Sequence, residues 1–239
     1  MQIFVLKEGD FSVSKNKEFY GIDDFPGGLR MAVQAFLVVT TQDVILLDAG
    51  FGLSSEDGKP KILSLLENHD FAAEQVTKIL ISHFHKDHVN GLGRFESGNF
   101  IGNFPNAKIY FQQRELDWAF AQQDNPSFDF GILDAISKLP NLVDLDSDEG
   151  QIGNQITFAV SGGHTSFHQE FWIRESEETI FYGADNLPQK SYIDFHIAYK
   201  SDHDGKKASE LRQIWKKQAE AEHWKILLFH DMQIPILEF

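Results

Sequence analysis

The segment ISHFHKDHVNGL places His83, His85, Asp87 and His88 within six residues. Three imidazoles and a carboxylate packed this closely would carry desolvation and repulsion costs on an ordinary surface. They are also the ligand set that suits Zn²⁺ and neighbouring divalent ions. The apolar run VTKILIS enters the segment and HVNGLGRF leaves it. The four residues are therefore expected at the end of a buried strand, just before a helical turn.

With 239 residues, 42% of them hydrophobic, the chain has enough apolar surface for a sizeable core. Neither Ser-rich linkers nor internal repeats interrupt it, so residues 1–239 are expected to form a single domain. The chain has no cysteine, so a metal would have to be held by His, Asp or Glu. A net charge of -15 argues against nucleic acid or an anionic membrane as the main partner, because both require clustered Lys and Arg. MQIFVLKEGDF has no basic or long apolar stretch of the signal-peptide kind, and no apolar run approaches the roughly 20 residues of a membrane span. A cytoplasmic location is the expectation, and a homodimer is compatible with it.

QIFVLKE reads as a first strand and residues 10–31 as loop. VQAFLVVTT and VILLDAG form a hairpin pattern. KILSLLENH, QRELDWAFAQQ, GILDAISKL and KKASELRQIWKKQAEAEH carry helical spacing. NLVDL, NQITFAVSG, QEFWIRES, ETIFYGAD and WKILLFHD read as strands. Strands in both halves, each half with helices, predict an α/β (α+β) fold of two packed sheets with helices outside.

Three more candidate ligands follow predicted strands: His164 after ITFAVSGG, Asp185 after TIFYGA and His230 after WKILLF. Strand ends along one sheet edge converge in space. Together with the first cluster they make seven ligands, too many for one tetrahedral Zn²⁺. They suit two metals with a carboxylate between them and positions left for water.

HFHKDH resembles the HxHxDH signature of the metallo-β-lactamase superfamily, and LLDAG, GGHT, GAD and FHD follow the order of its other motifs. The likeness runs from Val33 to Asp231. It implies an αββα sandwich of two mixed β-sheets, with a dinuclear site along one edge. In that pattern His83, His85 and His164 hold one metal; Asp87, His88 and His230 hold the other; Asp185 bridges them. Asp48, in LLDAG, orients ligands by hydrogen bonds. The implied chemistry is attack by a metal-bridging hydroxide, with Asp87 or Asp185 relaying a proton. The metals expected are zinc, or manganese, iron or cobalt in its place.

Within the superfamily, the absence of cysteine excludes the cysteine-containing lactamases, and no signal for an exported lactamase is present. A basic motif for a glutathione thiolester, the basic face of a nuclease and the Glu and flavin domain of flavodiiron relatives are all missing. GADNLPQKSYIDFHIAYKSD, a helix and ILLFHD most resemble the quorum-quenching N-acyl homoserine lactonase group, which implies a small ester or lactone as substrate. That group commonly reads GHTPGH where this chain has Ser166 and Phe167. One branch carries a substrate-contacting Tyr where Pro188 stands, leaving Tyr192 as the nearest replacement. The rivals are a phosphoester or organophosphate hydrolase, a non-catalytic metal-binding sensor, and an iron-based redox protein on the same site. Phe84, Phe104, Phe128, Phe130 and Phe167 lie in loop-like segments, and Phe84 and Phe167 are expected to line a substrate wall. His168 either supports the site or is a satisfied structural histidine.

Overall fold

The computed structural model describes residues 1–239. The first half contains β1 (Gln2–Val13), β2 (Phe19–Gly21), β3 (Leu29–Val39), β4 (Val44–Leu47), β5 (Lys78–Leu80), β6 (Gly93–Glu96), β7 (Asn99–Gly102), β8 (Lys108–Phe111) and β9 (Leu142–Asp144). β6 and β7 pair only with each other; the rest form one sheet in the order β2-β1-β3-β4-β5-β8-β9. The second sheet takes β10 (Glu149–Ile152), β11 (Ile156–Val160), β12 (Gln169–Glu175), β13 (Glu178–Tyr182), β14 (Lys225–Leu227) and β15 (Ile236–Glu238) in chain order. The helices are α1 (Lys61–Glu67), α2 (Lys86–Val89), α3 (Gln113–Ala121), α4 (Phe130–Ile136), α5 (Ser191–Asp194) and α6 (Gly205–Glu222).

Both sheets are mixed. β4, β5, β8 and β9 run parallel, as do β13 and β14; the other pairs are antiparallel. A parallel neighbour needs a crossover long enough to return the chain. α1 lies in the crossover from β4 to β5, α3 and α4 in that from β8 to β9, and α5 and α6 in that from β13 to β14.

Side-chain alternation in the second sheet accounts for the layering. Phe171, Ile173, Ile180, Tyr182 and Leu227 join a core of 39 buried residues that also holds Leu37, Ile45 and Leu80 of the first sheet. The intervening Phe181, Ile226 and Leu228 turn the other way, onto Tyr192, Ile193, Trp215 and Ala219 of α5 and α6. Ile62, Leu66, Leu116 and Leu133 bring α1, α3 and α4 onto the large core. The result is the expected αββα sandwich. No helix is long and apolar enough to cross a membrane.

The loop expected over residues 10–31 is partly strand. β1 continues to Val13 because a bulge between Lys7 and Gly9 carries the ladder past the glycine, and β2 then folds back on it. The hairpin of β6 and β7 and the final strand β15 also went unpredicted, being too short to show an apolar period.

Candidate metal centre

Beyond β5 the backbone is extended at His85 (φ -64°, ψ 147°), and the side chains of residues 83–85 alternate between opposite sides. His83 and His85 turn toward the other candidate ligands. Phe84, between them, turns into the core, where it is 2% exposed and meets Phe111 edge-on at 5.9 Å. The expected substrate contact at Phe84 is therefore corrected: the alternation that presents both histidines withdraws it. His85 immediately precedes α2, whose single turn brings round Asp87 and His88. Gly91 closes the segment; a Cβ there would collide with the Ala49 carbonyl oxygen, so glycine lets the motif pack against the loop after β4.

Asp48 sits in that loop at φ 53°, fully buried. Its Oδ1 accepts from the Ser82 amide at 2.8 Å. Its Oδ2 accepts from Ser82 Oγ at 2.7 Å, Tyr182 OH at 2.5 Å and His88 Nδ1 at 2.8 Å. Because the Ser82 hydroxyl donates to Asp48, it is left to accept from His83 Nδ1 at 3.0 Å. One carboxylate thus sets the ring orientation of two histidines, one directly and one through Ser82, and leaves both Nε2 atoms facing the site.

The other three candidates arrive singly. His164 follows Gly162 and Gly163, both at positive φ, and its amide donates to Asn186 Oδ1 at 2.7 Å. Its Nδ1 donates to Asp202 Oδ1 at 2.8 Å. Asp185 lies in a short helical turn, Ala184–Asn186, beyond β13. His230 follows β14 and donates Nδ1–H to the Ala32 carbonyl at 2.6 Å.

These side chains form two groups whose ligand atoms lie within 4.8 Å of one another: His83, His85, His164 and Asp185; and Asp87, His88 and His230. Asp185 faces both. Its Oδ2 is 3.1 Å from His164 Nε2, while its Oδ1 is 3.2 Å from His88 Nε2 and 3.1 Å from His230 Nε2. Asp87 Oδ2 is 3.5 Å from His230 Nε2. His85 turns its Nδ1 inward, 3.1 Å from His164 Nε2. His83 Nε2 is buried with no hydrogen-bond partner, and His88 Nε2 lies near Asp185 without the alignment of a hydrogen bond. A buried polar atom left this way costs about 1–3 kcal/mol. A cation within each group would supply the missing partner, so the donor set fits two divalent ions.

Charge divides the histidines. Burial, then repulsion from neighbouring histidines, pushes His83 and His85 well below the usual imidazole range. Burial opposes protonation of His88 and His230 too, but Asp185 and Asp87 overrule it and raise both. Burial likewise opposes ionisation of Asp185, and His230, His88 and His164 reverse that, holding it well below the carboxylate range.

A cavity of about 1050 Å³ opens onto the two groups, with His85, Asp87, His164, Asp185 and His230 at its floor. Its apolar wall is Val13, Phe19, Phe25, Leu29 and Met31, from the stretch expected to be loop. Phe167 does not reach it; the Phe167 ring lies under the Arg114 guanidinium at 5.0 Å, and its amide donates to Glu115 at 2.8 Å. Phe104 and Phe128 are both in the core, and Phe128 also meets His85 edge-on at 4.9 Å. Tyr192 lines a narrow recess with His164, Asp185 and His230 and stacks on Tyr199 at 6.0 Å. Burial, then the neighbouring Tyr199 and the charges of Asp185 and Asp202, raise its phenol above the usual range. His168 is buried beside His83, with Nδ1 3.3 Å from Glu170. Asp202 and Asn186 were not anticipated. Asp202 lies among the charges of KSDHDG, where nothing separates a buried acid from a solvated one.

The model of the metallo-beta-lactamase superfamily matches residues 29–230, and the chain belongs to that superfamily. A probable metal-dependent hydrolase from Staphylococcus aureus superposes with a TM-score of 0.78 at 18% identity, over 99% of this chain and 91% of its own. The dizinc quorum-quenching lactonase AidC, solved with an N-acyl homoserine product, gives 0.74 at 22% identity, over 98% and 88%. The hydrolase AbOPH gives 0.75 at 23% identity, over 99% and 89%. No curated protein matches.

Proposed function

We propose that this chain is a hydrolase of small esters or lactones working with two divalent cations, zinc first among them. His83, His85 and His164 would hold one, and Asp87, His88 and His230 the other, with Asp185 between. The observation that carries this reading is the placement of the two Asp185 oxygens, one toward each group. Bound cations would supply a water whose pKa falls to about 7 and a Lewis-acid contact for a carbonyl oxygen.

The chain's own residues do the rest. Asp48 holds His83 and His88 in the tautomer that points a lone pair inward. Asp87 and Asp185 are the carboxylates in reach of a proton released there. Tyr192 keeps its hydroxyl proton and faces the recess, where it can donate to an oxyanion developing on the substrate. The wall of Phe19, Phe25 and Met31 takes the apolar part of the substrate. The product-bound lactonase among the structural relatives supports a lactone as the first substrate to try. We read residues 1–239 as one working unit, since both sheets contribute to the same core.

The test is a panel of lactones, thiolesters, nitrophenyl esters and phosphodiesters with Zn²⁺, Mn²⁺ or Co²⁺, alongside elemental analysis. Turnover of a lactone or ester by protein carrying two metals per chain is expected. Hydrolysis of a phosphodiester with none of any lactone would move the assignment to phosphoesters, a second reading that the cavity lysines favour. Two bound metals with no turnover at all would favour a sensor.

A further inference from the structure

The chain carries a net charge of -15, yet Lys15, Lys17, Lys86 and Lys200 all line the one cavity over the candidate metal centre. None has a carboxylate within ion-pair distance, whereas Lys7, Lys78 and Lys225 elsewhere do. Three carboxylates share the lining: Glu18, Asp87 and Asp185. Glu18 accepts from Tyr20 OH at 2.8 Å, and the two aspartates face the candidate cations, whose charge would exceed theirs. The four cavity lysines are thus left without a paired carboxylate in the protein.

Lys17 and Lys86 are the inner pair, both half-buried. Lys17 also lines the recess beside His164, Asp185, His230 and Tyr192. It occupies a left-handed turn position at φ 59°, which glycine or asparagine would take at less cost. Lys86 stands between His85 and Asp87 in the motif, with its ammonium 5.8 Å from the Phe19 ring centre.

We propose that the substrate carries an anionic group, a carboxylate or a phosphate, which Lys17 and Lys86 bind beside the reacting bond while Lys15 and Lys200 draw it to the mouth. This specifies the substrate class of the hydrolase proposed above and rests on that reading.

Three lactones test it: a γ-butyrolactone carrying a carboxylate, the same ring carrying a phosphonate, and the methyl ester of the first. The charged rings should exceed the neutral ester in kcat/KM by about tenfold or more, with a KM that rises with salt. Whichever charged ring is preferred names the group. Lys17→Met or Lys86→Met should bring the ratio of charged to neutral toward one. Lys108→Met, an exposed lysine at the far end of its strand, should leave it unchanged. Calorimetric titration with glutarate and phosphonoacetate reads binding without turnover, on variants matched for metal content. Weakened binding in Lys17→Met, with no lactone hydrolysed, would keep the anion site and discard the lactone reading. Equal kcat/KM for charged and neutral rings, or equal anion binding by wild type and both inner variants, would overturn the proposal.

Discussion

The two sheets build the candidate centre in different ways. The first sheet delivers His83, His85, Asp87 and His88 from one strand end and one helical turn, with His88 tied directly and His83 through Ser82 to the wholly buried Asp48. The second delivers His164, Asp185 and His230 from three separate strand ends, with His164 held by Asn186 and Asp202 and His230 by the Ala32 carbonyl. In the first arm, local backbone geometry places the ligands and one anchor orients two of them. In the second, topology alone brings them together, and each can be loosened separately. Asp185 joins the arms, because its two oxygens face one group each.

The largest effect is therefore expected at that joint. Asp185→Asn keeps the shape but removes the charge that both groups face. Metal content should fall from two toward one per chain, with more than about a hundredfold loss in affinity for the weaker ion, beyond the usual effect of a ligand's hydrogen-bond partner. Elemental analysis after dialysis against a graded chelator checks this. Retention of two tightly held metals would rule out the proposed bridging role of Asp185.

Asp48→Asn breaks the first arm. Asparagine tolerates the left-handed backbone at this position, so the substitution isolates the lost acceptor from backbone strain. The amide cannot accept from Ser82, His88 and Tyr182 at once. A loss of about 2–4 kcal/mol in metal-free stability is expected, together with a 10- to 100-fold loss of metal affinity. Urea unfolding and metal titration measure the two separately.

What the sequence made legible follows the same division. HFHKDH could be read directly as a candidate site, because four ligand-type side chains in six residues have no packing explanation. His164, Asp185 and His230 became readable only through the order of family motifs, since a lone His or Asp after a strand is ordinarily a turn residue. The anchors divide too: Asp48 could be named from LLDAG, whereas Asp202 could not be told from its charged neighbours. Phe84 was misplaced because a loop-like reading of ISHFHKDH ignores the side-chain alternation of residues 83–85, which sends Phe84 into the core and both histidines to the site. The cavity wall of Val13, Phe19 and Phe25 was missed because Gly9-Asp10 looks like a strand end, and only a bulge lets β1 continue.

Glu8 extends the first arm to pH. Its buried carboxyl accepts from the amides of Phe51 and Leu53, at 2.5 Å and 3.2 Å, and so holds the loop that follows Asp48. Burial raises its pKa from 4.5 to about 7, against the pull of those hydrogen bonds. The folded state therefore binds this proton more tightly than the unfolded chain does. The stabilisation is complete below about pH 4.5 and is lost as pH rises through about 7, about 3 kcal/mol in all. In metal-free protein, Glu8→Gln should flatten the decline in stability between pH 5 and 8. A parallel decline in wild type and variant would show that another group is responsible.

The smallest effect is expected in the second arm, at Asp202. Its carboxylate holds His164 Nδ1 at 2.8 Å, as Asp48 holds His88, but the surroundings differ. The His164 side chain is 13% exposed and that of His88 is fully buried. Water can reach His164 when its partner is removed, so Asp202→Ala should cost less than about 1 kcal/mol of metal-free stability. Metal affinity should still fall about tenfold, because the imidazole loses the acceptor that fixes its tautomer and raises its basicity. Asp202→Asn, which keeps the oxygen acceptor, should recover most of that loss. If Asp202→Ala instead destabilised the metal-free fold as much as Asp48→Asn, the two arms would be equally rigid. Their contrast would then lie in the sequence alone, not in the folded molecule.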